Sequence, residues 1–338
     1  MDHGTRTSIN TWDGPRFKML ICNLTTTFVS MRGYGARRRF RPGGSRSRRF
    51  RKFRRSYRRS TVRRSRRAGY SRKAIVNMAA TKKRDNMISC AITEGGVPNV
   101  PGLPFVMNGA QEVWMFAFVP SARRLHDGVP STGVRGYDFS REHRDTFSVG
   151  YSERVTLTAN TGANWRWRRI VFTMKTLEPA QAFQSGALFN YVGFEGVKPG
   201  YVRAMYDFSQ DALPRALLQQ ELFQGTAGTD YSDPFNAPVD KTRVRVLYDR
   251  NIAINGHNDE GHWKVKRFYH RNGRKLIYNE KESGDRKDGA TEGSHFNTGG
   301  RVGDGDLWVV DMFAGIGSAA GDTLRFLPQG TYYWHERG

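Results

Sequence analysis

The residues with most chemistry to offer lie between positions 32 and 73, where the chain places 18 Arg and 2 Lys and no Asp or Glu. Guanidinium groups grip phosphate oxygens in pairs and stack on bases. The cations that carry this capacity are Arg37, Arg38, Arg39, Arg41, Arg46, Arg48, Arg49, Arg51, Lys52, Arg54, Arg55, Arg58, Arg59, Arg63, Arg64, Arg66 and Arg67. Aromatic rings interrupt them, and Phe50, Phe53 and Tyr57 fall at i, i+3 and i+7, one face of a helix if the segment coils on a ligand. Such rings are stacking platforms for unpaired bases. The plainer reading is random punctuation of a charge run. So much like charge with so little apolar surface does not fold alone, so the expectation is an arm that orders when a polyanion neutralises it. Nucleic acid is the leading partner; a membrane surface or simple nuclear import are the other uses of such a run.

Other constellations are weaker. His143-Arg144-Asp145 fails as a kinase catalytic loop, because Gly150 stands where an Asn is needed. It fits the H-x-D of a two-His, one-carboxylate iron site, with His257, His262, His270 or His295 as second histidine, but 8 His in the chain make the triplet expected by chance. Asp304 and Asp306 in GDGDLW lack the ligand pattern of a calcium loop. The Gly-rich run 315–321 (GIGSAAG) leads into a strand rather than a helix, so it offers no helix N-terminus to a phosphate. Asn23-Leu24-Thr25 is a glycosylation sequon without secretory context. The expectation is therefore no catalytic residues, no metal ligands and no cofactor.

The elements that must carry the arm are read from charge and periodicity. The chain is +24, yet residues 32–73 supply +20 of it, Lys82, Lys83 and Arg84 add three, and residues 85–338 hold 29 basic and 29 acidic residues. A segregated arm on a neutral body points to tethering or packaging of polyanion rather than to a uniformly basic enzyme. The expected organisation is an extension over 1–31, a disordered basic arm over 32–84, and one folded domain over 85–338. Met31 stands as an alternative start, since residues 1–30 share none of the arm's composition. No run is long and apolar enough for a membrane span, and the segment 19–29 lacks a signal-peptide cleavage site. Cys22 and Cys90 make neither a disulfide framework nor a metal spacing, and a reducing compartment is the default.

Within the body, short apolar or alternating runs predict strands over 111–119, 152–158, 165–174, 201–207, 242–248, 262–269, 306–313 and 323–334, the last with a turn near Pro328. In 165–174, Trp165, Trp167 and Val171 share one face, and Arg166 and Arg168 point to the other. Asn272-Gly273 predicts a hairpin turn into 274–278. One helix is expected over 211–223, capped by Asp211, with Leu213, Leu217, Leu218 and Leu222 as its apolar stripe and Gly225 as its stop. Strands this frequent without intervening helices predict an all-β antiparallel sandwich or barrel.

An Arg-rich arm (ARRRFRPGGSRSRRFRKFRRSYRR) before an all-β body, the strand GDLWVVDMFA at 305–314, and the ending LRFLPQGTYYWHE at 324–336 together resemble the capsid proteins of genomoviruses (gemycircularvirus-like), relatives of geminivirus coat proteins. The likeness spans residues 31–338. It implies a single jelly-roll, a small icosahedral (T=1) shell of about sixty copies, circular single-stranded DNA inside, and entry to the host nucleus through import receptors. The virion and the host nucleus are the implied locations, with no membrane partner. Two other classes stay open: a nucleic-acid-associated double-stranded β-helix enzyme of the iron-oxygenase type with a basic tail, and a cellular basic RNA- or DNA-binding protein.

Overall fold

The structure, a computed structural model, describes residues 70–93, 97–123, 125, 140–175, 190–194, 197–256, 260–278, 281–283, 286–288, 295–300 and 302–337. A short helix, α1 (Arg72–Ala79), leads directly into strand β1 (Ala80–Met87). Then follow β2 (Ser89–Ala91), β3 (Phe105–Asn108), β4 (Trp114–Phe118), β5 (Asp145–Thr161), β6 (Asn164–Met174), β7 (Asn190–Phe194) and β8 (Val197–Met205). After helix α2 (Ala212–Leu222) come β9 (Arg245–Ile254), β10 (Glu260–Ile277), β11 (Lys281–Ser283), β12 (Arg286–Asp288), β13 (Asp306–Ile316) and β14 (Thr323–Arg337).

Two antiparallel sheets dominate. One runs β1-β14-β5-β10, with β3 pairing β14 beside β1; the other runs β4-β13-β6-β9. Numbering the strands of these two paths along the chain gives 1-8-3-6 in one sheet and 2-7-4-5 in the other. That interleaving is the jelly-roll order, two Greek keys folded across a sandwich. The small sheet β2-β8-β7 flanks the sandwich. Alternation explains the interior. Val155, Leu157, Leu324, Phe326, Trp165, Trp167 and Phe313 turn inward into one apolar cluster, and Tyr151, Tyr332, Trp334, Val171 and Val309 into another. Each large side chain buried this way contributes about 1.5–3 kcal/mol.

The two sheets differ on their outer sides. The second is covered again: Ile170, Phe172, Met174, Trp308, Val310 and Met312 pack with Leu218 and Leu222 of α2 and with Phe223, Phe235 and Val244. It is largely apolar on both faces, and 306–316 accordingly reads as an apolar run whose only charged residues are Asp306 and Asp311. The first sheet has no such cover among the described residues, and Trp263, Tyr269 and Val106 stand exposed on it.

Several sequence expectations are corrected. Asn272-Gly273 is not a hairpin turn: β10 runs on through it, and the register against β5 shifts by one between Arg271 and Arg274. The pair forms a bulge opposite Val149, with Gly273 at φ +63°, the left-handed geometry a Gly supplies without strain. Pro328 makes no turn. It lies in β14 between the stretch paired to β3, ending at Phe326, and that paired to β1, starting at Gly330, so no ladder on that side needs its missing N–H. Strand β1 takes in Lys82, Lys83 and Arg84, which their charge groups with the arm, because the alternation of β1 aims Lys83 inward between two carboxylates. The first helix was not foreseen. In α2, Leu218 and Leu222 are buried but Leu213 is exposed, and Asp211 accepts from the Tyr206 hydroxyl instead of capping. Gly225, at φ +90°, does follow the helix.

Candidate nucleic-acid interface

The predicted arm residues, from Arg37 through Arg67 with Phe50, Phe53 and Tyr57 among them, lie outside the described residues. The body shows two contrasting sets of cations. The first is sealed between the sheets. The parity that places Trp165 and Trp167 inward does the same to Arg169, which is fully buried. Its Nε lies 2.7 Å from Asp311 Oδ1 and its Nη2 2.5 Å from Glu153 Oε2. Arg203 closes the ring, with Nε 3.1 Å from Glu153 Oε1 and Nη2 2.9 Å from Asp311 Oδ2. The Trp167 indole donates to Asp311 at 2.8 Å, and the Tyr151 hydroxyl to Glu153 at 2.7 Å. Burial raises the Glu153 carboxyl, but Arg169 and Arg203 outweigh it and hold the group at about 2. Burial and then Arg169 lower His270 to about 4, so it is neutral near pH 7. The ring is charge-neutral and its four charged side chains are closed to solvent, so its role is structural.

The second set lies on the outer face of β1-β14-β5-β10. Register aligns its rows: Trp263, Thr158, Arg325 and Val106; then Arg267, Arg154 and Gln329; then Tyr269, Ser152, Thr331 and Asn86; then Arg271, Gly150, Tyr333 and Arg84. Past the bulge come Lys275, Phe147, His335 and Lys82. Lys82, Arg84, Arg154, Arg267, Arg271 and Arg325 are all exposed. Among the described strand residues of this face the one carboxylate is Asp145, at the far end, and Lys275 holds it at 2.7 Å. Such a surface can bind extended anions through cations and unpaired bases through rings. Sequence reasoning missed it. The alternation in 262–269 was visible, but the alignment of Arg267 opposite Arg154 belongs to the sheet register.

The remaining sequence candidates are dispersed. Arg166 is paired with Asp233 at 2.7 Å, and Arg168 with Asp249 at 2.8 Å. His143 comes together with Glu142 and Glu336, ligand atoms within 4.8 Å, rather than with a second His among the described residues. Lys83 Nζ already sits 2.8 Å from Glu142 and 3.4 Å from Glu336, so an ammonium fills the place a metal would take. Asp145 is engaged by Lys275. Asp306 points inward, accepting from the Ser121 hydroxyl and the Asn297 N–H at 2.8 Å each, and burial pushes its carboxyl up to about 7. Asp304 meets Arg274 at 3.8 Å on the surface. The run 315–321 links β13 to β14 and so crosses between the two sheets. Cys90 is a free thiol packed in the core, pushed up to about 11 by burial. No helix among the described residues is long and apolar enough to cross a membrane.

No family model matches the chain, and no curated protein matches it. Among solved structures, it is similar to an unassembled VP1 pentamer of Washington University polyomavirus carrying a point substitution, at 8% identity, over 76% of this chain and 94% of that one, with a TM-score of 0.12. It is also similar to VP1 of trichodysplasia spinulosa-associated polyomavirus in complex with 3'-sialyllactose, at 8% identity, over 76% and 93% of the two chains, with a TM-score of 0.13. Likeness at that level carries no functional argument. The jelly-roll rests on the strand order.

Proposed function

We propose that the chain is a viral coat protein, structural and without catalysis, that assembles into a small icosahedral shell and packages circular single-stranded DNA through its Arg-rich arm. The observation that carries this reading is charge segregation: 20 cations and no acids over 32–73, against 29 of each sign over 85–338. A neutral jelly-roll body suits self-association, and the arm suits a polyanion. The genomovirus-like resemblance in the arm, at 305–314 and at 324–336 supports a shell of about sixty copies, in which such arms present roughly 1,200 positive charges to one genome. The same clusters, Arg37–Arg39, Arg46–Arg49 and Arg51–Arg55, suit import receptors of the host nucleus. The iron-oxygenase reading is disfavoured because Asp145 is held by Lys275, and His143 comes together with two carboxylates rather than with a second His among the described residues.

Negative-stain microscopy of the purified full chain with single-stranded DNA tests the proposal. Closed shells of uniform size are expected. A chain that stays monomeric with DNA across salt and pH contradicts it. A reporter fused to residues 32–73 is expected to enter the nucleus, and retention in the cytosol removes the import role.

A further inference from the structure

We infer that the open face of the β1-β14-β5-β10 sheet is a second binding surface for single-stranded nucleic acid, separate from the arm. The inference rests on the reading that this chain binds nucleic acid, and adds a site on the folded body that the arm does not provide.

Three features of the face point to that occupant. First, its cations are uncompensated. Lys82, Arg84, Arg154, Arg267, Arg271 and Arg325 are exposed on it, and none has a carboxylate partner among the described residues. Every buried Arg near the sheet interior has one or a carbonyl in its place, so the absence outside is selective. Second, Arg154 stands directly across from Arg267 in the ladder. Like charges in direct cross-strand register destabilise a sheet unless an anion lies over them. Third, large rings share the face, the most exposed of them Trp263 at 70% and Tyr269 at 58%. They lie six residues apart on one side of β10, about 20 Å at strand rise. Cations beside exposed rings on an open sheet suit a strand whose bases are unpaired, since only unpaired, unstacked bases are free to stack on the rings. The arm is not the occupant, because it carries the same sign of charge.

The test uses the full chain throughout. Binding is measured across a salt series to a thymidine oligomer, to a uridine oligomer of equal length, and to inorganic polyphosphate, which has charge without bases. Three variants are compared with wild type: Arg154→Ser with Arg267→Ser, Trp263→Ala with Tyr269→Ala, and Arg46→Ser with Arg48→Ser and Arg49→Ser in the arm. All altered sheet side chains are exposed, and thermal unfolding checks that each variant folds. The sheet-cation pair is expected to lower the slope of log affinity against log salt by about 1.4, at ~0.7 per single-strand phosphate contact. The aromatic pair is expected to weaken oligomer binding roughly fivefold or more while polyphosphate binding stays within about twofold. Ultraviolet cross-linking to the oligomer is expected to label the peptide holding Trp263 and Tyr269. Loss of oligomer affinity in the sheet variants supports the site, and the ratio of the losses for the two oligomers tells whether the strand is DNA or RNA. If the arm variant weakens binding but both sheet variants match wild type and cross-links stay in the arm, the inference fails and the proposed function stands. If none of the three changes binding, both fail. If the sheet variants alter shell formation and leave nucleic-acid binding intact, the face is a contact between copies of the chain and the inference is overturned.

Discussion

Glu153 and Arg154 are neighbours in β5 and face opposite worlds. Glu153 turns inward, where Arg169 and Arg203 hold it and the hydroxyl of Tyr151 completes its bonds. Arg154 turns outward, where the residue opposite it is another arginine. The interior ring is neutral by construction, because an unmatched charge between apolar sheets costs several kcal/mol. The outer face is under no such compulsion, since water screens its cations. Solvation tolerates cations of one sign there but does not select them. The difference teaches where to look for a partner: charges that the fold has balanced hold the fold, and charges it has left unbalanced are free to meet something else.

The largest expected effect breaks the inner side. Glu153→Gln leaves two buried guanidinium groups sharing the single carboxylate of Asp311 and should cost about 3–5 kcal/mol. Chemical denaturation of the variant reads this directly, and a loss below about 1 kcal/mol would show that the ring is not what organises the interior.

A second effect sharpens the same contrast through pH. Asp306 has its carboxyl raised from the ordinary 3.8 to about 7 by burial. Between those values the folded chain keeps a proton that the unfolded chain has released, so this group's contribution to stability falls as pH rises from 3.8 through about 7 and is flat above. Glu153 works the other way: held near 2 by the two arginines against its ordinary 4.5, it contributes stability that is present above 4.5 and lost as pH falls toward 2. Each tenfold change in proton affinity is worth about 1.4 kcal/mol, so the Asp306 contribution is at most about 4 kcal/mol. Wild type should lose unfolding free energy relative to Asp306→Asn as pH rises from about 4 to about 7, because the Asn does not titrate; parallel profiles would remove Asp306 as the titrating group.

Smaller changes follow. Trp167→Phe removes the indole donor to Asp311 and should cost about 1.5–3 kcal/mol by thermal unfolding, since the lost bond goes to a charged acceptor. Arg154→Ser on the outer face should change stability by less than about 0.5 kcal/mol, with any change favourable because a like-charge pair is relieved. A loss of about 2 kcal/mol there would mean Arg154 has a structural role.

Much of the fold was legible. The alternation of 152–158, the aromatic-basic run of 165–174 and the apolar run at 306–313 are strands because side chains on successive residues face opposite sides. What stayed hidden depends on long-range register. Asn272-Gly273 has the composition of a hairpin turn, but β5 is long enough to pair on both sides of it, so the Gly serves a bulge. Leu213 fits a helical stripe, yet only the turn of α2 bearing Leu218 and Leu222 meets the second sheet. Arg169 was readable in principle: its parity with Trp165 and Trp167 commits it to the interior and demands a buried acid. Which acids answer is set by topology, since Glu153 and Asp311 come from strands far apart in sequence. The basic face is invisible to composition, because residues 85–338 sum to neutrality while their charges separate by location.

The most direct measurement compares one matched and one unmatched arginine in the full chain. Arg166 is 2.7 Å from Asp233, whereas Arg154 has Arg267 and Gln329, neither of them an acid, across from it. The salt dependence of binding to a thymidine oligomer is measured for Arg166→Ser and Arg154→Ser against wild type. An uncompensated outer face predicts an unchanged slope for Arg166→Ser and a slope lower by about 0.7 for Arg154→Ser. Equal effects of the two substitutions, or an effect of Arg166→Ser alone, would contradict it.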